Sequence, residues 1–147
     1  MGVYPEIWGP HAWAFIHLCT IAEKSPLSKV RLNHYKNFFD ILSEIIPCEK
    51  CRIHLKDNLI KMKDITTIKS KRELFDWTVE LHNIVNRYNG KKQFDKNDAY
   101  KHWSNVSEGI TTISGEKIIC KRNNYKIMFY ILLTIIACYI LFNIYFA

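Results

Sequence analysis

Residues 28–51 read SKVRLNHYKNFFDILSEIIPCEKC. Leu32, Tyr35, Phe38, Phe39, Leu42, Ile45 and Ile46 recur at steps of three and four, the period of one face of an α-helix. Ser28 stands where a hydroxyl caps the first turn, and Pro47 ends the pattern. A helix therefore leads into Cys48-Glu49-Lys50-Cys51. That excludes a thioredoxin-like arrangement, in which such a pair follows a strand of a βαβ unit.

The flanking segments keep the helical period. Gly9-Pro10 is expected to open a first helix, with proline in the first turn where its missing N–H costs nothing. Trp13, Ile16, His17, Thr20 and Ile21 then share a face, and Ser25-Pro26 ends it. A third helix is expected to start at the paired cysteines and to run through Arg52, Leu55 and Leu59. Ser70 with Glu73 forms a capping box for a fourth, whose face carries Leu74, Trp77, Leu81, Ile84, Val85 and Tyr88 and which Gly90 stops. Asn97 or Asp98 is placed to cap a brief fifth helix bearing Tyr100 and Trp103. Asn105 to Gly115 is rich in Ser, Thr and Gly and reads as a linker. No strand alternation or repeat appears, so the fold class is all-α, a small bundle with short loops.

At 147 residues the chain has room for one domain and an appendage. Charged residues make up 24% and aromatics 14%, which excludes a disordered chain. The net charge of +7 comes from scattered basic residues with no groove-reading or stacking motif, so nucleic-acid binding is not expected. All formal charge lies at or before Lys126. Residues 127–147, IMFYILLTIIACYILFNIYFA, are long and apolar enough for one transmembrane helix. Lys117, Lys121, Arg122 and Lys126 precede it and nothing basic follows, so the N-terminal domain is expected to face the cytosol. The N-terminus has no apolar h-region of a cleaved secretory signal. The expected organisation is a domain over 1–104, a linker and basic juxtamembrane segment over 105–126, and a tail anchor over 127–147.

Of the five cysteines, only Cys48 and Cys51 are close together, which does not suit a secreted disulfide framework. At a helix N-terminus the backbone N–H groups favour a thiolate, so the pair suits thiol–disulfide exchange. A zinc half-site and two inert cysteines remain as alternatives. His54, His82 and Cys120 are near enough in kind to join a metal, but their spacing matches no common finger. Trp13 and His17 lie four apart on one helix face, and His82 and Asn86 lie four apart on another, with Asn83 beside them. Buried polar side chains need partners, and this collection is expected to find them in a ligand.

Trp8-Gly9-x-x-x-Trp13-x-x-x-His17, then Cys48-x-x-Cys51, then His82-Asn83-x-Val85-Asn86, followed by Lys91, Phe94 and Trp103, resembles the flavin-dependent sulfhydryl oxidases of the Erv/ALR family. The likeness runs from about Ile7 to Trp103, and its first motif is more like members from large DNA viruses than mitochondrial ones. It implies four helices plus a short fifth, non-covalent FAD and a homodimer. By position, Trp8, Gly9, Trp13 and His17 would line the flavin. His82, Asn83, Asn86 and Lys91 would hold the adenosine and phosphates, with Phe94 and Trp103 closing the adenine pocket. The implied catalytic residues are Cys48, which meets the thiols of a protein substrate or a thioredoxin-like relay protein, and Cys51, nearer the flavin. O2 would take the electrons, giving hydrogen peroxide, and no metal takes part. The disulfide that often ties helix four to the segment before helix five is missing, since Val79 and Lys96 stand there, and there is no second CxxC. Membrane attachment, in a virion or host membrane, would come from the tail. The competing reading from another class is a non-enzymatic tail-anchored adaptor whose paired cysteines contribute to a metal site.

Overall fold

The computed structural model describes residues 3–117, 129–130 and 132–135. Within the described residues 3–117, five α-helices follow one another, α1 Pro5–Ile21, α2 Lys29–Ile45, α3 Glu49–Lys61, α4 Lys71–Tyr88 and α5 Lys96–Ser107, with one 3₁₀ turn, Ile65–Thr67, between α3 and α4. The expected span over 127–147 falls largely outside the described residues, as do Cys120 and Cys138. Among the described residues no helix is long and apolar enough to cross a membrane.

The helices form where their periodicity put them, and their ends are set by side chains. The Ser28 hydroxyl accepts the Arg31 N–H at 3.1 Å, satisfying one of the donors that a helix start leaves unpaired. Ser70 accepts the Glu73 N–H at 3.1 Å. The Glu73 carboxylate reaches back past Ser70 to the Lys69 N–H at 2.9 Å, so the expected capping box closes one residue early. Gly90, at φ 62°, follows the last turn of α4, in a left-handed conformation that glycine adopts without the Cβ penalty.

Three expectations need correction. Helix α1 opens at Pro5, four residues before Gly9, and Pro10 lies inside it. There the proline ring removes the bond that would run to the carbonyl of Glu6, an exposed residue whose oxygen water can reach. The cap of α5 is Asp95, upstream of both expected residues, because its carboxylate accepts the N–H groups of Asn97 and Asp98 at 2.8 and 3.0 Å. The segment after residue 104 is not an open linker. Helix α5 continues to Ser107, and the chain then turns back through an antiparallel bridge between Thr111 and Lys117, with Gly109 and Gly115 at positive φ.

Helix α1 packs on α4 and α5, and α2 packs on α3 and the 3₁₀ turn. One apolar cluster joins the two groups: Ile16 from α1, Leu32, Tyr35 and Phe39 from α2, Leu55 from α3, and Leu74, Trp77 and Leu81 from α4. Each such side chain contributes about 1.5–3 kcal/mol when fully buried. The Trp77 indole N–H donates to the Lys63 carbonyl at 2.8 Å, which ties α4 to the loop after α3. A second cluster of Ile21, Phe75, Val79 and Ala99 seals α1, α4 and α5 together. Val79, one of the two positions where the resemblance would place the tying disulfide, is fully buried here. Lys96, its counterpart, makes an exposed ion pair with Glu80 at 3.0 Å, so apolar packing stands in for the missing cross-link. Arg72 strengthens the same joint, bonding Asp76 and Asn97 and lying 4.3 Å from the centre of the Tyr100 ring.

Candidate active site

The aromatic and imidazole side chains that the sequence singled out converge from three helices and a loop. Trp13 of α1 lies flat on His82 of α4, with ring centroids 4.1 Å apart and planes 6° from parallel. His17, one turn after Trp13, stands beside His82 and 5.2 Å from Trp103 of α5. Phe94 meets the His82 ring edge-on at 5.0 Å. Trp8 is half-buried at the open end of α1, and a Cβ on Gly9 would meet no atom of the chain. The helical period of α1 and α4 brings these groups together, since each set repeats at four-residue spacing on the face turned to the other helix.

The two histidines are linked. His17 Nε2 and His82 Nδ1 are 3.0 Å apart, and His17 Nδ1 is 3.1 Å from the Thr78 hydroxyl. Burial, reinforced by His82 and His102, lowers the pKa of His17 to about 3. Burial, helped by the Lys91 ammonium, lowers His82 to about 4. Both rings are therefore neutral at physiological pH, as desolvation of a cation requires.

The asparagines behave differently from expectation. Asn83 and Asn86 are buried, yet their partners are the chain's own backbone. The Asn83 amide donates to the Phe94 carbonyl at 2.9 Å while its oxygen accepts the Phe94 N–H at 2.8 Å. Asn86 Nδ2 donates to the Lys92 carbonyl at 3.3 Å, and the Lys91 N–H donates to the Asn86 carbonyl at 2.8 Å. These bonds fold residues 91–94 back over α4, which holds Phe94 against His82 and keeps Lys91 near it. Backbone thus meets both ends of the Asn83 amide, and for Asn86 one amide N–H.

At the start of α3, Cys48 and Cys51 are joined in a disulfide with Cα atoms 5.1 Å apart. Cys48 is the N-cap of α3, and its sulfur accepts the Cys51 N–H at 3.2 Å. Arg52 Nη1 donates to the Ile46 carbonyl at 2.8 Å, clamping the approach to the pair. A bonded pair has no thiolate to give a metal, so neither the zinc half-site nor the adaptor's metal site is realised in this state. Cys51 packs against the apolar cluster that also receives Trp8 and Trp13. Cys19 is a free, partly buried thiol of α1, its pKa raised by burial.

One participant, Thr78, was not singled out in the sequence, and His54 enters in another role than the metal ligation considered there. Thr78 lies one turn before His82 on the same face of α4, and that spacing was the available signal. His54 stacks on Tyr88 with ring centroids 5.0 Å apart, bracing α3 against α4.

The residues present fit the flavin dinucleotide that the resemblance implies. Trp13, Phe94 and Trp103 offer flat apolar faces to heteroaromatic rings, the neutral His82 ring offers a hydrogen bond without charge, and exposed Lys91 offers a cation to a pyrophosphate. The open space beside Gly9 admits a ring close to the backbone of α1.

Comparison with known proteins agrees with this arrangement. The model of the Erv1 / Alr family matches residues 10–104. A probable FAD-linked sulfhydryl oxidase of Acanthamoeba polyphaga mimivirus is 39% identical over 90 residues, which make up 60% of this chain and 62% of the relative. The mitochondrial FAD-linked sulfhydryl oxidase of Saccharomyces cerevisiae is 28% identical over 98 residues, 67% of this chain and 51% of the relative. The chain thus matches between half and two thirds of the length of these two relatives. Among solved structures, the FAD-binding domain of Erv1 from Saccharomyces cerevisiae superposes with a TM-score of 0.65 at 26% identity, covering 70% of this chain and 96% of that one. The yeast Erv1 core gives 0.63 at 26% identity, covering 70% and 86%. With the family model matched along most of its helical domain, the chain belongs to the Erv1 / Alr family.

Proposed function

We propose that this protein is an FAD-dependent sulfhydryl oxidase that forms disulfides in other proteins through Cys48 and Cys51. The observation that carries the reading is the disulfide at the N-terminus of α3, with Cys51 packed on the same apolar cluster as Trp8 and Trp13.

A substrate thiolate attacks Cys48 Sγ, breaks the Cys48–Cys51 bond and leaves the electron pair on Cys51. A second substrate thiolate then attacks the substrate sulfur of that mixed disulfide, and Cys48 departs as a thiolate. The Cys51 N–H, already aimed at Cys48 Sγ, together with the first turn of α3, stabilises that leaving charge. The substrate loses two electrons and two protons, and the pair of cysteines gains them. Bound flavin would accept the two electrons and pass them to O2, giving hydrogen peroxide. Trp8, Gly9, Trp13 and His17 would line it from α1, with Lys91 and His82 on its α4 side. Asn83 and Asn86 act by holding the 91–94 loop, and Phe94 and Trp103 close the far end.

The same reading includes a homodimer and a tail anchor at residues 127–147, with the basic residues before it on the cytosolic side of a virion or host membrane. The apolar length and the charge asymmetry of the sequence support it. Anchoring would raise the local concentration of a co-anchored thiol substrate.

Cys48→Ser and Cys51→Ser are each expected to abolish oxygen consumption with a dithiol while the purified protein keeps its FAD. Oxidase activity in either variant would remove the cysteine pair from the mechanism.

A further inference from the structure

We propose that Thr78 is a positioning residue of the flavin site, fixing the protons along Thr78–His17–His82 so that His82 turns a bare Nε2 acceptor toward the cofactor. The proposal rests on the functional reading above for its ligand and on geometry alone for its proton order.

The order starts at a carbonyl. Thr78 Oγ1 lies 2.7 Å from the Phe75 carbonyl oxygen, a distance at which two oxygens need a proton between them. The carbonyl has none, so the single Thr78 hydroxyl proton points there. Thr20 does not change this, because its hydroxyl is 3.5 Å from Thr78 Oγ1 and donates to the Ile16 and His17 carbonyls of its own helix. Toward His17 Nδ1, at 3.1 Å, Thr78 can then only accept. The proton of neutral His17 is therefore on Nδ1, and its Nε2 carries a lone pair. His82 Nδ1, 3.0 Å away, must donate to that lone pair. A neutral imidazole has one ring proton, so His82 Nε2 is left bare. It makes no hydrogen bond among the described residues, and it is not among the buried polar atoms left unpaired. The lowered pKa values of both rings agree with each carrying one proton.

This order has a chemical consequence. A bare ring nitrogen takes a hydrogen bond from an N–H or O–H donor, such as an exocyclic amine, a ring imide or a sugar hydroxyl. It repels an ionised phosphate oxygen, which has no proton to give. Of the residues on the α4 side, Lys91 would therefore serve the pyrophosphate and His82 a ring or sugar donor. The opposite tautomers, with Nε2–H on both rings, would reverse that preference.

The test is nitrogen NMR of the full chain, labelled with ¹⁵N in its histidine rings and purified with its flavin, the signals being assigned by single histidine substitutions. Wild type and Thr78→Ser are expected to show Nδ1–H and a bare Nε2 at both His17 and His82. Thr78→Val keeps the shape of the side chain but removes the acceptor, and it is expected to switch both rings to Nε2–H. It should also weaken FAD binding by roughly tenfold, the equivalent of one lost hydrogen bond, while Thr78→Ser stays within about twofold of wild type. Nε2–H at either histidine of the wild type overturns the proton order, as does a Thr78→Val protein with unchanged tautomers. Unchanged FAD affinity in Thr78→Val, or a loss in Thr78→Ser equal to that in Thr78→Val, overturns the positioning role. A wild-type chain that binds no flavin refutes the functional reading and the ligand half of this proposal together, and the tautomers are then read from the histidines alone.

Discussion

Replacing His82 by alanine removes the ring between Trp13 and Phe94 and deprives His17 of its partner, so the loss can be worked out from the site. The Trp13–His82 stack, nearly parallel at 4.1 Å, is worth about 0.5–1.5 kcal/mol beyond area burial. His17, only 1% exposed, is left with an unmet ring nitrogen at a cost of about 1–3 kcal/mol. The flavin-free protein should therefore lose about 1.5–4.5 kcal/mol, or roughly 10 °C in Tm for a domain of this size. Wild type at a hundredfold excess of flavin over Kd gains about 2.7 kcal/mol by mass action. The variant forfeits that as well, so the gap between the two widens when flavin is added. His82→Phe separates the contributions, since it restores a ring for Trp13 but not the bond to His17. The assay is thermal unfolding with and without added FAD, alongside absorbance of the purified proteins. An alanine variant that melts within about 2 °C of wild type without flavin, or that stays fully yellow, would refute the reasoning.

Acid should begin to weaken the fold above the range where most carboxylates titrate. His17 and His82 are held below the ordinary 6.5, at about 3 and about 4, so the unfolded chain binds protons there that the folded chain refuses. Their contribution is complete above about pH 6.5 and is lost as pH falls toward those two values, by up to about 3 kcal/mol per pH unit for both together. Urea midpoints measured from pH 7 to 4.5 should show this fall, and His17→Gln should roughly halve its slope; a flat wild-type profile contradicts it. Removing residues 127–147 should release a soluble enzyme with unchanged turnover of a small dithiol but without activity on its partner in cells. In membrane-inserted full-length protein, protease should reach the N-terminal domain from the cytosolic side, and its protection inside sealed vesicles would defeat the proposed topology.

The helices were legible because each buries a stripe whose period survives in the sequence. Leu32, Tyr35 and Phe39 face the core as their spacing required, and Ser28 and Ser70 cap the helices they precede. The cysteine bond was within reach of the spacing, since two cysteines three apart at a helix start can be joined, although the zinc and inert readings stood beside it. What local reading missed depends on the tertiary path. Nothing near Asn83 in sequence announces that the backbone of Phe94 will return to satisfy both ends of its amide. A ligand was therefore expected to do what the chain does for itself. Thr78 was passed over for the same reason, because a threonine in a helix gains its role only from the histidine on the facing helix. Pro10 misled because proline commonly opens helices, and here Pro5 already had.

The central claim is that electrons pass from thiols through Cys48 and Cys51 to a bound flavin. Anaerobic titration of the purified yellow protein with a dithiol tests it most directly, followed by admission of air. The flavin absorbance should bleach with about one dithiol per flavin, as a two-electron transfer requires, return on exposure to oxygen with release of hydrogen peroxide, and fail to bleach in Cys51→Ser. A colourless protein, or a flavin that dithiol bleaches equally well in Cys51→Ser, would contradict it.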